Sequence, residues 1–317
     1  MLKYLIIQLA NDSVSFCHYP KCDKASGLIP LETLREGIFY AMKENLNIQI
    51  LYPVYLIPED YKKLIDSADH TDIISSECAD SELKNNAEIV VMSNWDSLGA
   101  IGPNFKRNIV IRTPKAELFG NTDMLANLLK KADRLVIVIT DVERFTPQDF
   151  KTYEEVLNEL IPVVKGEYQK GHAVQFNLLT DRMLLDKMNN CNAGDESITL
   201  APDGNFYICP AFYLDSSKPV GSLKDDLEIK NPQLYRLDHA PICRICDAYQ
   251  CRRCAWLNKK TTLEVNTPSH EQCAVAHIER NASKKLLESI RELGVFLPGK
   301  DIKELEYLDP FDKLVKN

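Results

Sequence analysis

Glycine is scarce in this chain, at 12 of 317 residues, well below the ~7% of an average protein. Few positions can therefore take φ > 0 or let the backbone approach a bound ligand closely. No run approaches the roughly 18 apolar residues of a membrane-spanning helix. The opening MLKYLIIQLAND is ended by Asn11 and Asp12 before it reaches the length of a secretory signal with its cleavage site. Positive charge is also short, with 38 Lys+Arg against 46 Asp+Glu and a net charge of −8. Such a field repels phosphate backbones and anionic lipid, so neither nucleic acid nor membrane is expected as a partner, and the chain reads as cytoplasmic. Internal repeats and low-complexity tracts are absent as well.

What the chain has in plenty is cysteine, ten in all. In a reducing cytosol that number does not make a disulfide framework, and clustered thiols point to metal. Seven of the ten fall between Cys191 and Cys273, four of them in CRICDAYQCRRC at 243–254. Cys243-x2-Cys246 and Cys251-x2-Cys254 set two thiolate pairs on tight turns, each able to offer both sulfurs to one ion or one cluster face. Free cysteines that merely fill a small core would not produce two such pairs in one loop. Zinc suits the quartet, and Cys273-x3-His277 on a helix could add ligands on one face. Zinc does not account for the remaining spacing, in which Cys191 and Cys209 stand far upstream of the quartet.

The first part of the chain alternates strand-like and helix-like segments. Tyr4 to Ala10, Ile48 to Val54, Glu88 to Met92, Asn108 to Thr113, Arg134 to Thr140 and Val174 to Leu179 are short, nearly continuous apolar runs of the kind buried on both faces of a sheet. Leu31, Leu34, Ile38 and Met42 recur at helical spacing. NTDMLANLLKKAD opens with an Asn/Thr cap signal, and 150–170 forms a further helix interrupted by Pro162. Strand–helix alternation implies an α/β fold with a parallel sheet, open and doubly wound or curved into a partial or full (β/α) barrel, its functional residues at the carboxyl ends of the strands. The alternation stops near 188. ITLAPDGNFYIC reads as a β-hairpin turning at Pro202-Asp203-Gly204-Asn205, and EQCAVAHIERNASKKLLESIREL as a helix with Ala276, Leu286, Leu287 and Ile290 on its apolar side. The expected division is a barrel domain at 1–188, a small Cys-rich α+β metal domain at 189–295 and a tail at 296–317.

The spacing Cys191-x12-Gly204-x4-Cys209, then Cys243-x2-Cys246-x4-Cys251-x2-Cys254, then Cys273 resembles the seven-cysteine SPASM domain that follows the barrel of peptide-modifying radical S-adenosylmethionine enzymes. The match extends to APDGNFYICP and to VGSL at 220–223. The resemblance implies that Cys243, Cys246, Cys251 and Cys273 ligate one auxiliary 4Fe-4S cluster, while Cys191, Cys209 and Cys254 serve another. Some members add an eighth cysteine soon after the first. Here that stretch is NAGDESI, which leaves one position of the second centre to Asp195, to solvent or to a substrate thiolate.

The barrel half resembles the same enzymes in outline but not in chemistry. Their CxxxCxxC motif follows the first strand, and its three thiolates leave one iron free to chelate the cofactor. The matching loop here is SVSFCHYP, with Ser13, Cys17 and Pro20 in register. Proline has no side-chain donor, so S-adenosylmethionine is not expected as a cofactor. YPVYLIPED around Tyr52 and Pro53 stands where the family has a G-G-E element. The chain as a whole is similar to the CXXX-repeat peptide maturases, as a degenerate member that keeps its SPASM domain. That resemblance implies maturation of ribosomally made cysteine-repeat peptides, with the precursor peptide, and a complete radical S-adenosylmethionine maturase, as partners.

Other residues carry plainer readings. Cys17, His18 and Cys22 make either a small site of their own or the loop remnant of a lost motif. Cys78 is isolated, and SHEQC at 269–273 lacks the second histidine of a zinc-peptidase motif. Arg244, Arg252, Arg253, Lys259 and Lys260 interleave with the quartet, where they solvate a surface, offset cluster charge or hold an acidic leader peptide. Asp141 and Glu143 follow a strand as end caps or as barrel-mouth residues. Three functions remain open at this level: a precursor-binding protein carrying auxiliary clusters for a complete partner, an enzyme using an open iron site, and a zinc-stabilised binding module.

Overall fold

A computed structural model describes residues 2–22, 27–93, 95, 108–188, 190–251 and 253–293. The expected tail at 296–317 and Arg252 lie outside them. Ten strands pair into one sheet: β1 (Tyr4–Gln8), β2 (Asn47–Leu51), β3 (His70–Ser75), β4 (Ile89–Met92), β5 (Asn108–Thr113), β6 (Arg134–Ile139), β7 (Gln175–Phe176), β8 (Ser197–Leu200), β9 (Asn205–Tyr207) and β10 (Gly221–Ser222). Among the described residues ten α-helices accompany them: α1 (Leu31–Lys43), α2 (Glu59–Ile65), α3 (Ser81–Asn86), α4 (Lys115–Gly120), α5 (Thr122–Leu129), α6 (Pro147–Gln169), α7 (Asp181–Leu184), α8 (Pro210–Leu214), α9 (Ala255–Thr262) and α10 (His270–Arg291).

The strand order is β10-β9-β8-β1-β2-β3-β4-β5-β6-β7. Strands β1 to β7 are parallel and lie in chain order, the arrangement of a partial (β/α) barrel, and β8 joins parallel on the free side of β1. The seven strands β1 to β7 run in unbroken chain order, unlike the 3-2-1-4-5-6 order of a doubly wound sheet. Alternation along each strand divides the core into layers. Ile6, Leu51, Ile73, Val91, Val110 and Val136 form one buried cluster. Their neighbours Leu5, Ile7, Ile48, Ile50, Ile74 and Val90 pack with α1 in a second. Val14, from the loop after β1, joins the first of these clusters. That loop therefore tucks inside the curve of the sheet.

Two strands differ from the sequence expectation. HTDIIS at β3 has only two adjacent apolar residues and partly exposed positions, so it carries no buried-run signal. The expected strand at 174–179 stops after Phe176, whose backbone N–H donates to Thr180 Oγ1 at 2.6 Å while the Thr180 N–H donates to the Phe176 carbonyl at 2.7 Å. This tight turn replaces the ladder. Helix α6 runs through Pro162, started by a Thr146–Asp149 capping box and held by buried Val156, Leu157, Leu160 and Val164. Met42 of α1 is 61% exposed while Ala41 is fully buried, so the apolar face is rotated by one residue.

The Cys-rich part is built onto the barrel sheet. Strands β8 and β9 form the expected antiparallel hairpin, with Gly204 at φ +80° in its turn, a conformation that strains any residue with a Cβ. A Cβ on Gly37 of α1 would collide with Leu200 of β8, so helix and hairpin are in close contact. Helix α10 lies against α6, where Tyr153 Oη donates to Glu279 at 2.7 Å. Among the described residues no helix is long and apolar enough to cross a membrane.

Candidate metal centres

The cysteines reach their places on short, tightly turned elements. Cys209 ends the hairpin and stands immediately before α8, while Cys254 is the N-cap of α9, its Sγ accepting the Leu257 N–H at 3.4 Å. A sulfur at a helix start lies at the positive end of the backbone dipole, which favours thiolate over thiol. Cys243 opens a single 3-10 turn, and Cys246 at its end accepts the Ala248 N–H at 3.4 Å. Cys273 and His277 are four residues apart on α10 and so share a face. His277 Nε2 lies 3.6 Å from Cys246 Sγ.

Two neighbourhoods emerge. Burial first, then the nearby thiols of Cys243, Cys273 and Cys246, hold the Cys251 thiol well above its ordinary value. Burial also pushes Cys243 up to about 11, with Arg253 opposing and Cys246 adding. In the second neighbourhood burial and then Cys191 and Cys209 raise Cys254, and burial and then Cys191 raise Cys209. Cys191 is exposed, and its thiol faces the Arg253 carbonyl at 3.8 Å, beside Cys254. Among the described residues no three His, Cys, Asp or Glu side chains are arranged to hold a single metal ion.

Buried thiols that raise one another's pKa are unfavourable as isolated anions. A bound cationic centre removes that cost by taking the thiolates as ligands. Of the basic residues in the quartet loop, Arg253 is buried and donates to the Tyr235 carbonyl at 2.6 Å. Arg244 stays exposed. Lys259 and Lys260 lie over the rings of Phe212 and Trp256.

The barrel-mouth motif positions are committed to other tasks. Ser13 is buried, and its Oγ accepts the Ala10 N–H at 2.9 Å; Pro20 is exposed. Cys17 is partly buried, and its carbonyl accepts from Arg112 Nε at 2.8 Å. Cys22 is partly buried near Tyr213, and Cys78 is a buried core residue. Tyr52, standing in place of the expected G-G-E element, is buried against Asp72. A cavity of about 510 Å³ opens at the carboxyl ends of β5 and β6, lined by His18, Arg112, Asp141, Glu143, Arg144 and Lys260. Asp141 caps α4 by accepting the Lys115 N–H at 2.8 Å, and Glu143 pairs with Lys260 at 3.1 Å.

Sequence reasoning missed a buried charge network beneath the quartet. Asp247 is fully buried, accepts from Arg280 at 2.9 Å and lies 4.0 Å from Arg182, which is 1% exposed and stacks 4.1 Å from the Tyr249 ring centroid. An acid between two CxxC pairs, with arginines elsewhere in the chain, was the available signal.

No protein-family model matches the chain, and no curated protein matches it. Among solved structures, native anSMEcpe with bound AdoMet and Cp18Cys peptide superposes with a TM-score of 0.63 at 12% identity, over 92% of this chain and 100% of the other. Histidine-tagged anSMEcpe with bound AdoMet gives a TM-score of 0.62 at 13% identity, again over 92% of this chain and 100% of the other. At such identity the likeness is one of fold, and the expected α/β fold with a parallel, partly barrel-like sheet is the fold found.

Proposed function

We propose that this chain is a precursor-peptide-binding protein that carries auxiliary iron–sulfur centres and serves the maturation of ribosomally made cysteine-repeat peptides beside a catalytically complete partner. The observation that carries the reading is a contrast between two ends of one fold. Seven cysteines gather into two groups at the C-terminal side, while at the barrel mouth the motif positions hold a hydrogen-bonded serine and a proline.

The donor set fits iron–sulfur centres. Cys243, Cys246, Cys251 and Cys273 would hold one, and Cys191, Cys209 and Cys254 the other; when bound, such clusters supply electron-transfer capacity. The spacing, with Cys191 and Cys209 far upstream of the quartet, favours iron–sulfur centres over a zinc knuckle built on the quartet alone. The donor set at the mouth does not fit the cofactor-chelating cluster. Ser13 is spent on a turn and Pro20 has no donor, so the reading includes no cleavage of S-adenosylmethionine.

Peptide recognition belongs to the mouth cavity, whose volume of about 510 Å³ lies in the range of ligand pockets. Its Arg112, Arg144, Asp141 and Glu143 offer both signs of charge to a peptide backbone and side chains. The likeness to a fold seen with a bound peptide agrees with this assignment. Anaerobic calorimetry with the metal-loaded chain and a cysteine-repeat precursor peptide should give saturable binding, with no 5′-deoxyadenosine formed when reductant and S-adenosylmethionine are added. Absence of binding to that peptide and to a maturase carrying it, or turnover of S-adenosylmethionine, would end this reading.

A further inference from the structure

The loop between β1 and α1 makes contacts that a leftover loop would not need. Tyr213 of α8, the helix that starts directly after Cys209, donates to Asn11 Oδ1 at 2.5 Å. Arg112 of β5 grips the loop from the other side, with Nε on the Cys17 carbonyl at 2.8 Å and Nη2 on the Tyr19 carbonyl at 2.7 Å. Ser15 Oγ also donates to the Tyr19 carbonyl, at 2.6 Å. The backbone at 17–19 is thus fixed by the barrel, and the start of the same loop, at Asn11, is docked on the helix that Cys209 precedes. Cys17, Cys209 and Cys254 pack against the same hydrophobic cluster. Cys17 lies within electrostatic reach of both of the other thiols.

We propose that Cys17 supplies the fourth thiolate of the centre held by Cys191, Cys209 and Cys254. The inference rests on the reading of those three cysteines as an iron–sulfur site and deepens it. The stretch 192–198 contains no cysteine, and Asp195 lies toward Lys3 at the start of β1. A single cysteine cannot build a cofactor-chelating cluster, but a single cysteine is what a three-thiolate site lacks. On binding, the Cys17 thiol gives its proton to solvent and a sulfur lone pair bonds to iron; no electron changes hands. The neighbouring loop residues are placed for other tasks. His18 Nδ1 sits 3.1 Å from the Ile139 carbonyl, and His18 shares with Cys251 the lining of a cavity of about 70 Å³.

Two consequences follow from full ligation. The centre has no position for a substrate thiolate, so it does not bind the peptide through iron. It also ties the barrel-mouth loop to the Cys-rich region, so that loading with metal orders the wall of the peptide cavity.

The test compares the full-length chain, loaded anaerobically, with its Cys17→Ala and Cys22→Ala variants. Readouts are iron and sulfide content, electron paramagnetic resonance of the reduced centres with and without added imidazole, and the rate of iron loss to a chelator. Wild type and Cys22→Ala should show two signals insensitive to imidazole. Cys17→Ala should leave one signal unchanged and make the other imidazole-responsive, with iron lost from it at least about tenfold faster. If Cys17→Ala does not fold, alkylation of wild type answers the same question: Cys17 is protected when loaded and reactive after chelation, while Cys22 reacts alike in both. Iron-loaded wild type with an unaltered Cys17→Ala variant, or equal Cys17 alkylation in both states, overturns the inference alone. Iron-free wild type overturns the underlying reading and the inference with it.

Discussion

If Cys251 ligates an iron–sulfur centre as proposed, Cys251→Ala should remove about half of the bound iron and destabilise the Cys-rich region by several kcal/mol in the metal-loaded protein. A structural metal contributes its binding free energy directly to folding, on the order of 10 kcal/mol for complete thiolate sites, and a site left with three ligands keeps only part of it. Cys251 is the sharpest choice because the thiols of Cys243, Cys273 and Cys246 lie within electrostatic reach of it. The change is read as iron per chain and as the denaturation midpoint under anaerobic conditions. Cys22→Ala, lying in neither group, should stay within about 0.5 kcal/mol of wild type. Equal iron and equal midpoints in both variants would remove Cys251 from any centre.

Asp247→Ala should cost about 3–5 kcal/mol even without metal, because it removes the buried carboxylate that faces the guanidinium groups of Arg182 and Arg280. Arg182 cannot escape to solvent from its 1% exposure, and stacking on Tyr249 replaces only part of the lost attraction. Urea denaturation of the chelator-treated chain isolates this effect from metal loss. Asp247→Asn should fall between wild type and the alanine variant, since it can still accept from Arg280 but carries no charge. A loss below about 1 kcal/mol for the alanine variant would mean that the network is hydrated and not structural. Asp247 sits between Cys246 and Ala248, so the network ties the quartet loop to α7 through Arg182 and to α10 through Arg280.

The strands buried on both faces were legible because burial on both sides leaves continuous apolar runs, as in β5 and β6. Strand β3 was not, since partner strands and not its own composition make HTDIIS extended. The Val174–Leu179 run was legible as apolar but not as a turn, which depends on where Thr180 places its hydroxyl. Cysteine spacing showed two thiol pairs on tight turns, because such turns fix local distances. It could not carry the approach of Cys17, some 170 residues upstream of Cys191, because that depends on how the β1 loop folds inward. The buried Arg182–Asp247–Arg280 network was equally silent, since charged residues read as surface until tertiary structure encloses them.

The most direct test of the account is the metal content of wild-type chain purified without oxygen, with iron, acid-labile sulfide and zinc determined on one sample. Two auxiliary centres and an empty barrel mouth predict about eight iron and about eight sulfide per chain, with zinc negligible. A colourless protein that carries zinc and neither iron nor sulfide would contradict it, and about twelve iron per chain would contradict it from the other side by requiring a third cluster at the mouth.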